Sequence, residues 1–400
     1  MSDADPPEES GADREYPEPP VPVDAVSAAD LYARIRRDDP VSVLDTRNRD
    51  EFEQWRVTGP GVEAAQVPYV NFVSASVRGS EAVADLVAET GLAEPVVVVC
   101  ARGRASAHVA GLLVEAGVEA VNLAGGMRGW ARLYVASDLP HADAMVRQYY
   151  RPSSGCLAYL VVADGEAAVV DPLHAVAGRY ADDAAEHGAD LRWAVDTHVH
   201  ADHVSGVRDV AAATDATPVL PAGARDRGLD FEATLLDDGE TLPVGDVGLE
   251  AVHAPGHTHE LTALRLGDLL FTGDALFLDS VGRPDLEAGD EGAPALARAA
   301  HDSLHDRLFA LPSETRVAPG HVAPDAVPDT EGRFSATLAA VREATPLAAL
   351  DRAAFVDRLT GDLPPRPANY ERVVAVNLGR ETVADAEAFE LELGPNNCAV

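Results

Sequence analysis

The sequence predicts an α/β protein of two domains, the first built on a mainly parallel sheet and the second a sheet-rich α/β sandwich. Three observations lead there. At 400 residues and 46% hydrophobic composition the chain can fill more than one core, because single cores stop growing at about 250–300 residues. Short apolar runs alternate with helical patterns across residues 23–139. After a polar, turn-rich interruption at LPHADAMVRQYYRPSSG, two strand-like runs separated by ADGE give a hairpin signal, and further strands follow.

Residues 1–22 are acidic and proline-rich, the composition of a disordered tail, and have neither the cationic start nor the apolar core of a signal peptide. Across 23–139 the series runs VSVLDTR, SEAVADLVAETG, PVVVVC, ASAHVAGLLVEAG and VEAVNLAGG. Continuous apolar strands of this kind suit a sheet covered on both faces. The second domain, 145–350, opens with LAYLVV and AAVVDP and continues through RWAVDTH, DVGLEAVHAPGH and DLLFTGD, with helices between. Residues 351–400 are read as a C-terminal extension of it. No period of about 20–50 residues recurs, which argues against solenoids and propellers.

Aspartate and glutamate number 67 against 31 basic residues, a formal charge of −36, and every basic residue is arginine. That balance opposes binding to nucleic acid or an anionic membrane, both of which need clustered cations. It suits a surface kept soluble in strong salt, and a halophilic archaeal source is expected. The three cysteines, Cys100, Cys156 and Cys398, are far apart, which argues against a disulfide framework and for a reducing, cytoplasmic setting. Cys156 and Cys398 have no motif context and receive no role. No stretch approaches the roughly 20 apolar residues needed to span a bilayer.

The segment THVHADH places His198, His200, Asp202 and His203 within six residues, directly after the apolar strand WAV. Alternate positions 198 and 200 can point the same way along an extended chain, and the following loop can turn Asp202 and His203 toward a neighbouring cation. Downstream, HAPGHTH, FTGDALF and VAPGH set His257, Asp274 and His321 at strand ends beside turns. Imidazole and carboxylate are the ligands for iron, zinc or manganese. A lone histidine or aspartate at a strand end is more often a cap or a surface group, but here separate segments repeat one pattern. His253 and His259 flank His257 and are read as either supporting or merely structural. His108, His141, His174, His187, His301 and His305 lack such context.

Together THVHADH, PGHT, TGD and the late PGH resemble the motif set of the metallo-β-lactamase superfamily, over about residues 145–350. The resemblance implies an αββα sandwich with a metal site at the sheet edge. Within that family, glyoxalase II-like hydrolases hold two zinc ions, one through positions matching His198, His200, His257 and Asp274, the other through Asp202, His203, Asp274 and His321. The persulfide dioxygenase branch holds one Fe(II) per chain through positions matching His198, His257 and Asp274. Ligand counting does not separate the two. LFLDSVGRPDL is similar to the dioxygenase branch's loop, in which the arginine matching Arg283 lies near the substrate pocket, a surface or inter-strand salt bridge being the plainer alternative for it, and LPPRPANYERVVAVNLGR resembles that branch's short extension. His200, Asp202, His203 and His321 would then orient the ligands and relay protons.

In VVVVCARGRAS, Cys100 ends a buried strand and is followed by a short glycine-containing loop and a helix beginning near Ser106. Loop N–H groups, a helix N-terminus and the charges of Arg102 and Arg104 favour a thiolate or a cysteine persulfide. An inert buried cysteine is the plainer alternative. SVLDTRNRDEF and NLAGGMRGW make residues 23–139 resemble a single rhodanese domain, with Cys100 matching its sulfur-accepting nucleophile and Asp45 and Arg47 its structural pair. The family's loop arginine is replaced by Ala105, with Arg104 one place earlier, and its glycine-histidine-isoleucine segment reads WRVTGPG.

The resemblance thus implies iron-dependent oxidation of a small-molecule thiol persulfide by dioxygen to sulfite and thiol, alongside sulfane-sulfur transfer at Cys100. Thiosulfate or sulfite are further small partners, and a homo-oligomer is compatible with the sequence. A binuclear zinc thioesterase of glyoxalase II type is the alternative; a persulfide carrier without metal chemistry is a third reading. Fusion of the two domains raises the local concentration of a shared intermediate only if the linker lets their sites communicate.

Overall fold

The computed structural model describes residues 16–323, 326–361, 363–394 and 397–399. The chain divides into two compact units, Met1–Trp130 and Ala131–Val400. The expected tail over residues 1–15 lies outside the described residues. Residues 16–22, assigned to that tail, are instead packed: Tyr16 meets Tyr69 edge-on, and Pro19 and Pro20 cover Gly111.

The first unit carries a parallel sheet in the order Ala25–Val26, Ala120–Leu123, Val96–Val99, Val41–Asp45 and Val62–Gln66. Val96–Val99 is central and wholly buried, which is why its sequence is an unbroken apolar run; each such valine contributes about 1.5–3 kcal/mol by burial. Phe72 and Ala75 of helix Tyr69–Ser76, Val83 and Val87 of helix Ser80–Ala88, and Val109 and Leu113 of helix Arg104–Glu115 pack on Leu44, Val96 and Val98.

The second unit is a sandwich of two mixed sheets. One runs Thr234–Leu236, Thr217–Pro221, Asp190–Val195, Glu166–Val170, Leu157–Ala163, Met145–Tyr150 and Val135–Leu139. The other runs Thr241–Val244, Val247–His253, Thr262–Leu266, Leu269–Gly273, Arg316–Pro319 and Ala336–Thr337. Tyr159 reaches from the first sheet to the second, its ring 4.9 Å from that of Phe271 and its hydroxyl donating to the Pro319 carbonyl at 2.6 Å. Alternate residues Ala158, Leu160 and Val162 point the other way, onto Tyr180 and Ala184 of helix Ala177–Glu186 and Val210 of helix Val207–Ala213. Leu270 and Val317 of the second sheet likewise meet Ala297, Val341 and Phe355 from helices Asp285–Asp302, Leu338–Ala344 and Arg352–Leu359. This is the αββα order.

The domain boundary differs from the expected 139–145. Val135–Leu139 pairs antiparallel with Met145–Tyr150 and so belongs to the second unit; the polar segment between the two strands is a hairpin loop, and local composition does not distinguish that from a linker. Among the described residues no helix is long and apolar enough to cross a membrane.

Candidate metal centre

The candidate ligands sit where strands of the sandwich run out. His198, His200, Asp202 and His203 follow Asp190–Val195, His257 follows Val247–His253, Asp274 follows Leu269–Gly273 and His321 follows Arg316–Pro319. All are buried. Parallel pairing of the last two strands sets Asp274 beside His321. Gly282 permits the close packing there, since a Cβ on it would lie 2.1 Å from the Asp274 carbonyl oxygen and 2.9 Å from His257 Cβ.

His198, His257 and Asp274 come together, with one ligand-type atom from each inside a span of 4.8 Å. His198 Nε2 lies 3.8 Å and His257 Nε2 3.7 Å from Asp274 Oδ2. These three atoms are buried and have no hydrogen-bond partner. The opposite ring nitrogens are committed. His257 Nδ1 donates to the Arg283 carbonyl at 2.8 Å; a carbonyl only accepts, so Nδ1 carries the hydrogen and Nε2 the lone pair. His198 Nδ1 is 3.0 Å from Thr197 Oγ1, whose hydrogen goes to Asp171 Oδ2 at 3.0 Å, which fixes the same tautomer. Burial, helped by His200 and His257, holds His198 well below the usual histidine range and hence neutral. Burial pushes the Asp274 carboxyl up, but His321 and His257 outweigh it and hold it ionised below the usual range. Each buried polar atom left unsatisfied costs about 1–3 kcal/mol. A divalent cation supplies the missing partner for all three, so the residues present fit a metal bound by two imidazoles and one carboxylate.

Cys156, Asp202, His203 and His321 form a second buried group. The His321 ring bridges it to the first, with Nδ1 2.6 Å from Asp274 Oδ1 and Nε2 2.8 Å from Asp202 Oδ2. Burial raises the Asp202 carboxyl, but His321 and His203 outweigh it and hold it well below its usual range. His200 goes elsewhere: its Nε2 lies 3.2 Å from Asp171 Oδ1 and 3.6 Å from Asp196 Oδ1. The seven predicted positions therefore divide among three neighbouring groups.

Arg283 needs correction as a substrate-facing residue. It is 1% exposed, grips Asp285 through Nε at 2.7 Å and Nη2 at 2.9 Å, and donates from Nη1 to the carbonyls of Pro364, Pro365 and Asn397. Its guanidinium ties down the C-terminal segment, and the part of it that touches the centre is its carbonyl. His259 bonds the Glu287 carboxylate, and His253 Nε2 meets the His259 carbonyl at 2.9 Å.

Several supporting residues escaped the sequence reading. Asp171 Oδ1 accepts the Thr197 N–H at 2.7 Å; its signal was present in AVVDP, an aspartate ending an apolar strand. Glu260 Oε1 accepts the Val199 N–H at 3.0 Å and the Arg227 Nη1 donor at 2.7 Å, and Arg227 Nη1 reaches the Val199 carbonyl at 3.4 Å. The peptide between His198 and His200 is thus clamped from both sides by a residue of the His257 loop and its arginine. Asn377, far along the C-terminal extension, donates to the carbonyls of His200 at 3.0 Å and His203 at 2.9 Å and accepts from the Ser205 N–H at 2.8 Å. No local pattern announces Glu260, Asn377 or Cys156.

In the first unit, Cys100 ends Val96–Val99. Its sulfur receives the Gly103 N–H at 3.1 Å and lies 3.2 Å from Ser106 Oγ, whose hydrogen goes to Asn122 Oδ1 at 2.7 Å. Gly103 lies at φ +82°, the left-handed conformation that turns the loop into helix Arg104–Glu115, which starts two residues before the expected Ser106. Gly126, at φ +58°, packs so closely that a Cβ would stand 2.2 Å from the Cys100 carbonyl oxygen. A cavity of about 320 Å³ opens on Cys100, with Arg47, Arg102, Arg104 and Tyr69 among its lining residues. Asp45 and Arg47 form a buried ion pair at 2.7 Å. Ala105 occupies a buried place in the first turn of the helix.

A buried cluster of two imidazoles and a carboxylate on a two-sheet sandwich, with a cysteine loop on a separate parallel sheet, defines a metallo-β-lactamase-fold metalloprotein with a rhodanese-like domain. The models of the metallo-beta-lactamase superfamily and of the rhodanese-like domain match residues 152–321 and 27–133. The chain belongs to the metallo-β-lactamase superfamily, and over its second unit it is ETHE1-like. It is 30% identical over 245 residues to the human mitochondrial persulfide dioxygenase ETHE1, covering 59% of this chain and 89% of the human protein. It is 36% identical over 187 residues to the hydroxyacylglutathione hydrolase of Methylococcus capsulatus, covering 45% of this chain and 66% of that protein. The crystal structure of ETHE1 from Myxococcus xanthus matches with a TM-score of 0.52 at 30% identity, covering 59% of this chain and 99% of that one.

Proposed function

We propose that the second unit oxidises the outer sulfur of a low-molecular-weight thiol persulfide with dioxygen, at one iron(II) held by His198, His257 and Asp274. The net change is RSSH + O2 + H2O giving RSH, sulfite and two protons. The observation that carries this reading is the convergence of His198 Nε2, His257 Nε2 and Asp274 Oδ2, three buried atoms with no other partner. Two imidazoles and one carboxylate leave open positions, and iron bound there would supply the place where persulfide and dioxygen meet. Around it, the chain's own groups do the rest. Thr197 and the Arg283 carbonyl fix the imidazole tautomers, and the hydrogen-bonded run Asp274, His321, Asp202 can pass protons away from the centre. The dioxygenase named among the relatives supports the choice of reaction.

At Cys100 the proposed step is sulfane-sulfur transfer: the thiolate attacks the outer sulfur of a persulfide or thiosulfate, the S–S bond breaks, and thiol or sulfite leaves while Cys100 becomes the persulfide. The Gly103 N–H already faces the sulfur that takes up charge.

A second reading, a binuclear zinc thioesterase, is favoured by the hydroxyacylglutathione hydrolase relative and by the second buried group. Elemental analysis of anaerobically purified protein, with oxygen uptake on adding a thiol persulfide, tests the choice. The expected result is iron at the triad with persulfide-dependent uptake and sulfite release. Zinc there, no uptake and thioester cleavage would replace the dioxygenase with the hydrolase.

A further inference from the structure

His259 and Glu287 take no part in the reaction assigned to the triad, yet with Glu260 they form a further group of metal-ligating side chains. We propose that His259, Glu260 and Glu287 hold a divalent, carboxylate-preferring metal ion such as manganese(II), at a site distinct from the His198–His257–Asp274 triad and from the group around Asp202.

Glu260 carries the proposal. Its side chain is wholly buried, and its Oε1 is committed to the Val199 N–H and to Arg227. Its Oε2 is buried with no hydrogen-bond partner and lies 3.6 Å from His259 Nδ1. Glu287 approaches from the helix Asp285–Asp302: its Oε2 accepts the His259 N–H at 2.7 Å, which sets its Oε1 against the same His259 Nδ1. One donor atom from each of the three residues falls within 4.8 Å of the others. Metal bonds of about 2.0–2.2 Å to nitrogen and oxygen put neighbouring donors about 3.0–3.6 Å apart. The separation of Glu260 Oε2 and His259 Nδ1 therefore already suits two corners of one coordination shell, and an ion there gives the stranded carboxylate oxygen its missing partner.

The surroundings hold the donors and leave access for water. His253 Nε2 meets the His259 carbonyl at 2.9 Å and the Thr262 hydroxyl donates to the Glu260 carbonyl at 3.0 Å, so the loop that carries both ligands is pinned on either side. Gly223 lets a neighbouring turn close in behind, since a Cβ on it would stand 2.7 Å from Glu260 Cβ and 3.4 Å from His259 Nε2. The His259 side chain is 40% exposed, so water reaches the remaining positions of an ion bound there. Arg227 Nε lies 3.9 Å from Glu287 Oε1 and offsets one of the two carboxylate charges, which leaves one negative charge for the cation. Two carboxylates, one imidazole and water form a harder set than the triad, and such a set suits manganese. The ion would tie the helix Asp285–Asp302 to Glu260, whose other oxygen holds the peptide between His198 and His200. Metal beyond one ion per chain would then not by itself mean a thioesterase.

The test uses the full-length chain, stripped of metal and dialysed against manganese(II), with bound manganese counted by elemental analysis. His259→Ala and Glu287→Gln are each expected to bind one ion per chain fewer than the wild type, and a variant carrying both His198→Ala and His259→Ala one fewer than His198→Ala alone. Circular dichroism of each metal-free variant separates a lost ion from a lost fold, and Glu287→Gln, which keeps the size of the side chain, stands in if His259→Ala does not fold. Equal counts in the wild type and in the folded variants overturn the proposal and leave the three residues as a hydrogen-bonded cluster. A double variant that binds as many ions as His198→Ala also overturns it, because the ion lost from His259→Ala was then the triad's. The count is independent of the reaction at the triad, so persulfide-dependent oxygen uptake can fail while this site stands, and the reverse.

Discussion

The cysteine loop and the metal centre are built in opposite ways. The loop that holds Cys100 is one short segment, residues 100–106, with one strand end, one left-handed glycine and one helix start, and Arg47 and Tyr69 line the cavity beside it. The metal centre draws on residues from Cys156 to His321, and its loop is held by Asn377 from the C-terminal extension. A site made of one short segment needs mainly that segment's conformation. A site made of many segments needs the sandwich to be complete before any of it exists.

That contrast is sharpest in a paired substitution. His198→Ala is expected to abolish metal binding at the triad and reduce persulfide-dependent oxygen uptake to background while leaving sulfur transfer intact; Cys100→Ser is expected to do the reverse. Metal analysis, oxygen uptake and a sulfurtransferase assay on both variants check this, and loss of both activities in either one would break the comparison.

The clamp on Val199 gives the next largest effect. Glu260→Ala strands the Val199 N–H and leaves Arg227 with only the longer contact to Glu287 at 3.9 Å, a loss of about 1–3 kcal/mol. Because the clamped peptide joins His198 to His200, metal affinity should also fall about 10- to 100-fold. Glu260→Gln keeps an acceptor for Val199 and should recover part of the affinity. Denaturant unfolding and competition with a chelator read the two effects, and unchanged affinity in Glu260→Ala would reduce the pair to a structural one.

The smallest expected effect is a pH dependence of the metal-free protein. Burial and His200 pull His203 down, but Asp202 and Cys156 outweigh them and raise it to about 9, against about 6.5 when unfolded. A raised folded value means the stabilisation is complete below about pH 6.5 and is lost as pH rises through about 9. The melting temperature of chelator-treated protein should fall across that window. Metal-loaded protein should change less there, because a bound cation takes the place of the proton. Equal slopes for the two forms would show that His203 does not titrate in this way.

Legibility follows the same division. The Cys100 loop, its glycine and its following helix could be read directly, because each is a local signal. For the metal centre, the residues flagged by THVHADH, PGHT, TGD and PGH all lie at strand ends in one buried region, but the motifs gave no sign that His200 turns to Asp171 and Asp196 while His321 bridges Asp274 and Asp202. Arg283 shows the limit from the other side. Its position in a loop beside the aspartate was legible, but the direction of its guanidinium depends on carbonyls more than eighty residues later. Val135–Leu139 was misplaced for a related reason, since its pairing partner, not its composition, assigns it to the second sheet.

By itself the sequence determined the two-domain α/β architecture, the strand ends that carry histidine and aspartate, and the glycine-containing loop and helix start that follow Cys100. Those features are written in periodicity, turn residues and short motifs, which act over a few residues. The tertiary structure alone decided that Cys156, Glu260 and Asn377 belong to the metal centre, and how the seven motif positions are shared among three groups. The physical reason is that hydrogen bonds and ligand distances operate over about 3 Å in space whatever the separation along the chain.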